Sequence, residues 1–386
     1  MIAWLAIAII GHFGTRLAIY NRLNALGIDR PRLKRIEKTI LAETMLTPLL
    51  ASWALWTRLD ASQTDTFLAT SQIPSWIWIY GWICIGCGGV LGCLWLLWRP
   101  LLRVQHVEAP RRCRVVDAQH TLPTPLPLTR KCQWAARIPG NQMFELSVEE
   151  IDLPVHGLPM DLSGYRIAQL SDIHFTGHVD PSFAQLAVEE ANAWRPDMMV
   201  LTGDIVDKPI GVSWCESTFG HADALDAKVF ILGNHDTRVS DPAMIRNAMT
   251  NAGWTNLGGK VIPMSIRNTS VSLIGNESPW FDRPTDSAMS QFPGTFRLCL
   301  SHSPDQYDWC RQHDVQLMLA GHTHGGQGRL PLAGPILSPS WHGSRWASGD
   351  FFRNPTTLHV TRGLGGVHLL RWRCRPELSL LTLRPA

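Results

Sequence analysis

Four apolar runs in this chain stop in the same way, at a glycine or serine followed by a side chain able to bind a cation. Met199-Val-Leu-Thr-Gly-Asp204-Ile-Val-Asp207 is the clearest. The others are Ile167-Ala-Gln-Leu-Ser-Asp172-Ile-His174, Val229-Phe-Ile-Leu-Gly-Asn234-His235-Asp236 and Leu317-Met-Leu-Ala-Gly-His322-Thr-His324. Leu298-Cys-Leu-Ser-His302 is a shorter fifth example. A short apolar run ended by Gly-Asp reads as a central parallel strand, buried on both faces, that delivers an acid to the carboxyl edge of its sheet. Ligands bind at that edge in open α/β sheets. The five runs are therefore expected to converge, with Asp204 bridging two cations.

The 386 residues are too many for one average domain and divide into two regions of unequal character. The average of 45% hydrophobic and 17% charged residues, with 17 Trp, hides that division. Roughly the first hundred residues are apolar with clustered Arg, and the rest has the composition of an ordinary soluble enzyme. A net charge of +3 is too small to mark a nucleic-acid polymer as a partner. The nine Cys are scattered. Cys84-x-x-Cys87 has no second pair after it, so it reads as small residues packing in a membrane helix, not as a zinc or redox pair. Nothing requires disulfides, which suits a reducing compartment.

Residues 2 to 20 are mostly apolar, and the first basic residue, Arg16, follows the apolar core where a secretory signal would place its charge first. A retained membrane segment is expected. Residues 21–38 carry Arg22, Arg30, Arg32, Lys34, Arg35 and Lys38. Residues 40–57 form a second candidate span, weakened by Glu43 and Pro48, and the loop 58–73 holds Arg58, Asp60 and Asp65. Residues 75–98 form the best span, about 24 residues without a charge, enough to cross a bilayer. Trp76, Trp78 and Tyr80 at one end, with Trp95 and Trp98 at the other, suit an interfacial aromatic belt. Arg99 and Arg103 follow, then Arg111, Arg112 and Arg114. The positive-inside rule then puts loop 21–38 and everything after residue 98 on the cytoplasmic side of an inner membrane, as a multi-pass protein with an outside amino terminus. If the second span fails, the first becomes re-entrant or interfacial and the third alone carries the orientation. The Arg run reads either as a seat on anionic lipid heads or as a plain stop-transfer flank.

The expected organisation is a transmembrane region of about three helices over 1–103, a Pro-rich linker over 104–142 (Leu122-Pro-Thr-Pro-Leu-Pro-Leu128) and a catalytic domain over 143–386. In that domain strands are expected at 144–153, 165–170, 229–232, 261–266, 271–275, 296–300 and 315–320, besides the one ending at Asp204. Helices are expected over 183–194, ended by Pro196, and near 241–252 and 304–312. Strands at 357–361 and 378–383 are expected to close a second sheet. Strands alternating with helices imply an α/β layer architecture.

Asp, His and Asn together suit two divalent ions of borderline type, Mn, Fe, Zn or Ni, and not a thiolate-bound structural zinc. Asp172-x-His174 and His322-x-His324 would each put two ligands on one side of a strand end, since side chains alternate with period two. Flanking glycines let the backbone approach a metal or phosphate. Two divalent ions outweigh the charge of Asp172 and Asp204, so the pocket suits an anionic phosphoester. Such ions, about 3.5–4 Å apart, generate a hydroxide nucleophile near neutral pH and clamp phosphoryl oxygens. His235, beside Asn234, is placed to contact the leaving oxygen as donor or general acid.

The ordered set Asp172-Ile-His174, Gly203-Asp-Ile-Val-Asp207, Gly233-Asn-His-Asp236, Ser301-His-Ser-Pro304 and Gly321-His-Thr-His-Gly-Gly-Gln327 resembles the calcineurin-like metallophosphoesterase family. With the membrane lead-in, the segment Gly325-Gly-Gln-Gly-Arg-Leu-Pro-Leu-Ala-Gly-Pro335 and Arg362-Gly-Leu-Gly-Gly366, it resembles the membrane-anchored YkuE- and YaeI-type branch. That branch also holds a UDP-2,3-diacylglucosamine hydrolase of lipid A synthesis. The resemblance covers roughly 144–386 and implies two β-sheets packed face to face with flanking helices, an α/β (α+β-type) sandwich. It implies Asp172, His174, Asp204 and His324 around one metal and Asp204, Asn234, His302 and His322 around the other, with His235 at the leaving group. One departure is the Val-His-Leu-Leu-Arg371 stretch, where a Pro before Arg is expected; it puts the shape of that loop in question.

Other residues stay open at this point. Asp207 reads as an acceptor orienting His174 or another ligand, or as a loop cap. Asp236 reads as fixing the tautomer of His235, or as a helix cap. Arg329 and Lys208 read as phosphate contacts or solvated charges, and His178 and His221 as structural. Trp341, Trp346, Phe351 and Phe352 read as an apolar lip for acyl chains or as packing under a loop.

The reading that results is a membrane-anchored phosphohydrolase acting on a lipid-linked pyrophosphate such as UDP-2,3-diacylglucosamine. The alternatives are a broad phosphodiesterase or phosphatase on soluble nucleotides or phosphoproteins, and a non-catalytic metal-loaded membrane scaffold.

Overall fold

The computed structural model describes residues 2–56, 74–102, 105–331, 334–366 and 368–386. The loop 58–73 and Arg103 lie outside them. The chain divides into two compact units, Met1–Arg103 and Val104–Ala386.

The first unit is helical: α1 (Ile2–Leu23), α2 (Arg30–Trp56) and α3 (Ser75–Leu102). Among the described residues two helical stretches are long and apolar enough to cross a bilayer, Ala3–Leu23 with mean hydropathy 1.3 and Ser75–Leu94 with 1.8. The expected second span does form one continuous helix through Pro48, but it falls outside that pair, its apolar stretch being diluted by Glu43, Thr44, Thr47 and Pro48. A polar cluster joins the three helices. His12 Nδ1 meets the Tyr80 hydroxyl at 2.6 Å, its Nε2 lies 3.0 Å from the Thr44 carbonyl, and Arg16 pairs with Glu43. A Cβ on Gly11 would collide with the Cys84 carbonyl, and one on Gly88 with Gly11. Small residues thus let α1 and α3 approach closely, as Cys84 was expected to do.

The second unit is a two-sheet sandwich. Its elements are β1 (Gln105–His106), β2 (Arg111–Asp117), α4 (Ala118–Thr121), α5 (Arg130–Ala136), β3 (Glu145–Val155), β4 (Arg166–Leu170), α6 (Ser182–Trp194), β5 (Met198–Thr202), α7 (Val212–Phe219), β6 (Ala227–Ile231) and α8 (Ala243–Asn251). After these come β7 (Thr255–Asn256), β8 (Val261–Ile266), β9 (Thr269–Asn276), α9 (Asp286–Ser290), β10 (Phe296–Ser301), α10 (Tyr307–Gln312) and β11 (Leu317–Ala320). The chain ends with β12 (Arg329–Leu330), β13 (Gly334–Pro335), β14 (Gly349–Arg353), β15 (Thr356–Val360) and β16 (Glu377–Pro385). One seven-stranded sheet runs β2-β3-β16-β4-β5-β6-β7 and the other β1-β14-β15-β11-β10-β9-β8.

Alternation along β5 shows how the layers are held. Met199 and Leu201 face a core shared with Phe183, Leu186 and Ala187 of α6, while Met198 and Val200 face Leu298, Leu300 and Leu319 of the opposite sheet. A strand with apolar side chains on both faces has its register fixed from both sides, since a one-residue slip would misplace all of them.

Three expectations need correction. Residues 104–142 are not a linker: β2 pairs antiparallel with β3 from Arg111↔Ile151 to Asp117↔Glu145, and Ala118, Leu126 and Cys132 are buried in the core. The strand escapes a reading by pattern because it is an edge strand, exposed and Arg-rich, with no apolar alternation. Two of its three arginines are tied within the unit, Arg111 to Asp350 and Arg114 to Glu190. The last strand, β16, does not close the second sheet but inserts into the first, parallel to β3 and antiparallel to β4. The loop after Asp204 contains a helix, α7.

Candidate metal centre

β4, β5 and β6 run parallel in one sheet and β9, β10, β11 and β15 in the other. The segments following β4, β5, β6, β10 and β11 carry the seven candidate ligands, and their side chains meet. Asp172, His174, Asp204 and His324 form one cluster and Asp204, His302 and His322 a second, with donor atoms in each lying within 4.8 Å of one another. Asn234 Oδ1 lies 3.1 Å from His302 Nε2 in the second.

Strand alternation does not place these pairs, contrary to expectation. Asp172 and His174 follow β4 in a loop, and both adopt the left-handed backbone region, with φ 53° each. So do Asp204 (54°), His322 (69°) and His324 (51°). That conformation costs a non-glycine residue roughly 1–2 kcal/mol, and its recurrence here is strain gathered at one site. Neighbouring backbone holds it in place. The amides of Asp172 and His174 donate to the carbonyls of Gly203 and Asp204 at 3.0 Å each, and the His322 amide donates to Asp172 Oδ2 at 3.0 Å. Two glycines are required by close approach: a Cβ on Gly233 would collide with Asp204 Oδ1, and one on Gly321 with Asp172 Oδ2.

Two of the imidazoles, His174 and His302, are aimed by a contact on the far side. His174 Nδ1 donates to Asp207 at 2.7 Å, leaving Nε2 facing Asp204 Oδ2 at 3.5 Å and His324 Nε2 at 3.2 Å. His302 Nδ1 donates to the Thr202 carbonyl at 2.8 Å, leaving Nε2 facing Asp204 Oδ2 at 3.3 Å and His322 Nδ1 at 3.1 Å. Asp204 Oδ1 accepts the His235 amide at 2.7 Å, whereas Oδ2, fully buried, has no hydrogen-bond partner among the described residues; His322 Nε2 is buried and unpartnered in the same way. A buried carboxylate oxygen without a donor is costly, and a shared cation is what these atoms fit.

Titration behaviour carries the same signature. Burial pulls His302 down, but Asp204 with Asp172 behind it outweighs that and holds the ring at about 9. Burial likewise opposes His174, which Asp207, Asp204 and Asp172 nonetheless raise. His322 and His324 are pushed well below the usual imidazole range by burial together with neighbouring His302 and His174 respectively. Carboxylates raise two of the rings while burial beside those rings lowers the other two, so negative charge is concentrated in this pocket.

The residues left open now have places. Asp207 accepts from both His174 Nδ1 (2.7 Å) and His235 Nδ1 (2.6 Å), and pairs with Arg238. Against burial, His174 and His235 hold its carboxyl well below the usual carboxylate range. Asp236 does not touch the His235 ring. Its carboxylate accepts the amides of Ile205, Val206 and Gly233 at 3.0, 2.8 and 2.7 Å, so it ties the loop after β5 to the loop after β6. Arg329 does not face the cluster either: it donates to the Gly325 carbonyl at 2.9 Å and the Ser348 hydroxyl at 2.5 Å, bracing the turn after His324. Lys208 is exposed. His178 bonds Thr129, and His221 contributes a carbonyl to Asn192. Trp346 and Phe351 are buried, Phe352 stacks on His156 and Trp341 is exposed, so these four do not form one lip.

Three residues escape the sequence reading, Arg238, Trp280 and Glu277, and the role of a fourth, Arg371, does too. Arg238 lies 2.7 Å from His235 Nε2, and burial lowers that ring to about 4, with Asp204 and Asp207 pulling the other way. Trp280 packs its ring on His322 and His302, with centroids 4.8 and 5.6 Å apart. Glu277 takes the Leu232 amide at 2.6 Å and the Arg246 guanidinium. The signal for Glu277 was present, since β9 ends in Ile274-Gly-Asn-Glu277, the same pattern as the ligand runs. Arg371, fully buried, donates to the carbonyls of His324, Arg362, Gly363 and Gly365. It gives the loop after β15 its shape without a proline.

Residues 165–326 match the family model described as calcineurin-like phosphoesterase. The chain is 30% identical over 234 residues to the uncharacterized metallophosphoesterase YkuE of Bacillus subtilis, covering 59% of this chain and 82% of that protein. It is 25% identical over 350 residues to a transmembrane protein with metallophosphoesterase domain from Danio rerio, covering 83% of this chain and 76% of that one. It is 24% identical over 276 residues to the UDP-2,3-diacylglucosamine pyrophosphatase LpxG of Chlamydia muridarum, covering 57% and 84%. The chain belongs to the calcineurin-like phosphoesterase family. It is a phosphoester hydrolase that works with two divalent metal ions; two of its helices are long and apolar enough to cross a bilayer, and a transmembrane protein is among the relatives, which together suggest membrane association.

Proposed function

We propose that the protein is a membrane-anchored hydrolase of a lipid-linked pyrophosphate, of which UDP-2,3-diacylglucosamine is the favoured example, with its catalytic unit on the cytoplasmic side of an inner membrane. In this reading Asp172, His174, Asp204 and His324 hold one divalent ion, and Asp204, Asn234, His302 and His322 the other. The observation that carries it is Asp204 Oδ2, buried and without a hydrogen bond between His174 and His302. Two divalent ions supply a lowered water pKa and neutralisation of phosphoryl charge when bound.

The chain's own residues do the rest. Asp207 holds His174 and His235 at once, so the orientation of a ligand and of the leaving-group histidine depends on one carboxylate. His235, with Nδ1 held by Asp207, presents Nε2 toward the Arg238 guanidinium, and the pair meets the oxygen that departs from phosphorus. The lipid assignment is supported by the LpxG likeness and by the anchor, since fixing a site to a bilayer raises its encounter rate with a headgroup. The cytoplasmic side is supported by Arg99 and Arg103, directly after the apolar span 75–98.

The test is turnover by the full chain in detergent with Mn. Hydrolysis of bis-p-nitrophenyl phosphate that disappears in Asp204→Asn supports the hydrolase; no hydrolysis with any of several metals returns it to the scaffold alternative. A much higher kcat/KM on a lipid-linked pyrophosphate than on free nucleotide sugars supports the lipid substrate. Equal values would transfer the protein to the class acting on soluble phosphoesters.

A further inference from the structure

We propose that the face built from α5 with its flanking residues and from segment 368–373 docks onto an anionic lipid bilayer beside the metal centre. This rests on the chain being membrane-associated, but not on the identity of its substrate.

The two segments are bound side by side. Asn141 Nδ2 donates to the carbonyls of Ala135 (2.8 Å) and Leu369 (3.0 Å), and the Gln142 amide donates to the Arg371 carbonyl at 2.7 Å. Their surface is apolar to an unusual degree for a water-facing one: Trp134 is 71% exposed, Ile138 48%, Leu128 46%, Leu370 42% and Trp372 40%. The helix α5 buries Cys132 and turns Trp134 outward, so the exposure belongs to a face with a packed opposite side and not to a loose tail. Isolated exposed apolar residues need no explanation, but a cluster with two Trp does.

Charge selects the occupant. Segments 118–144 and 362–376 contain no Asp or Glu, and Arg130, Lys131, Arg137 and Arg373 are exposed on them. None of these four forms an ion pair among the described residues, and Arg137 lies over the Trp134 ring at 5.8 Å. Trp and Leu beside unpaired Arg and Lys is the composition of a surface that lies in the headgroup layer, with the apolar groups inserted and the cations on lipid phosphates. A protein partner would be expected to bring acids into a groove, whereas this face is built from one short helix and one loop.

The face adjoins the catalytic centre through the backbone. The Leu128 amide donates to the His178 carbonyl at 2.9 Å, four residues past His174, and Arg371 donates to the His324 carbonyl at 3.3 Å. Docking would therefore present the ligand loops at headgroup depth.

The experiment is hydrogen exchange of the full chain in nanodiscs of phosphatidylcholine, alone or mixed with phosphatidylglycerol, set against detergent. Residues 128–138 and 368–373 are expected to exchange several-fold more slowly in the anionic discs, and salt should weaken that protection. Each cation is worth roughly five-fold in partitioning, so Arg130→Glu with Lys131→Glu should abolish the protection. Trp134→Ala with Ile138→Ala should abolish it without changing charge. Both variants should hydrolyse bis-p-nitrophenyl phosphate within two-fold of the parent, which separates failure of docking from failure of the hydrolase. Equal exchange in detergent and anionic discs would overturn the proposal. So would protection that depends on protein concentration and not on lipid charge, since it would assign the face to a second copy of the chain.

Discussion

The two ligand groups share Asp204 but differ in how they are backed. The group of Asp172, His174, Asp204 and His324 contains two carboxylates, and the far nitrogen of His174 is held by a third, Asp207. The group of Asp204, Asn234, His302 and His322 has only the shared carboxylate and a neutral amide, and the far nitrogen of His302 rests on the Thr202 carbonyl. A carboxylate-backed imidazole is a more basic ligand than a carbonyl-backed one. In the proposed reading the first group would hold its ion firmly and the second would hold one that exchanges more readily.

Three experiments break or sharpen that contrast. The largest effect belongs to Asp204→Asn, which removes charge from both groups. Turnover of a phosphodiester should fall by roughly a thousand-fold or more, while the melting temperature changes little. An effect confined to metal affinity at one group would mean that Asp204 does not bridge. Next, Asp172→Ala should raise the metal concentration needed for half-maximal activity well beyond what Asn234→Ala does, and a chelator should remove the second group's ion first. The reverse order would contradict the difference in charge. Asp207→Asn comes third: loss of the contact to His174 is expected to cost about ten- to a hundred-fold in metal affinity or rate. An effect on kcat without any change in metal response would assign Asp207 to His235 alone.

Much of this centre is legible in the sequence because a buried parallel strand has a plain signature, an apolar run with an abrupt polar end. Asp172, Asp204, Asn234, His302 and His322 can each be read that way. The companions of the ligands cannot. Asp236 sits next to His235 in the chain yet bonds three amides of two loops, and Asp207 takes the role that proximity suggested for Asp236. Spacing along the chain cannot separate these roles, because the left-handed turns at Asp172, His174 and Asp204 redirect every side chain near them. Edge elements are illegible for a different reason: β2 has no buried face to impose alternation. Leu126 shows the consequence. It stands in a Pro-rich run but is 1% exposed, so Leu126→Ala should cost about 3 kcal/mol in chemical denaturation. A linker residue would cost nothing.

The smallest effect is expected from Arg329→Ala. Arg329 braces the Gly325 turn and faces Ser348, so stability should fall by about 1–2 kcal/mol with KM unchanged. A large rise in KM would restore it to the substrate.

The most direct test of the account is anomalous diffraction from crystals of the full chain grown with Mn. Two peaks about 3.5–4 Å apart are expected, with Asp204 Oδ2 between them, Asp172 and His324 on one side and Asn234 and His302 on the other. A single peak, or two peaks with Asp204 touching only one, would contradict it.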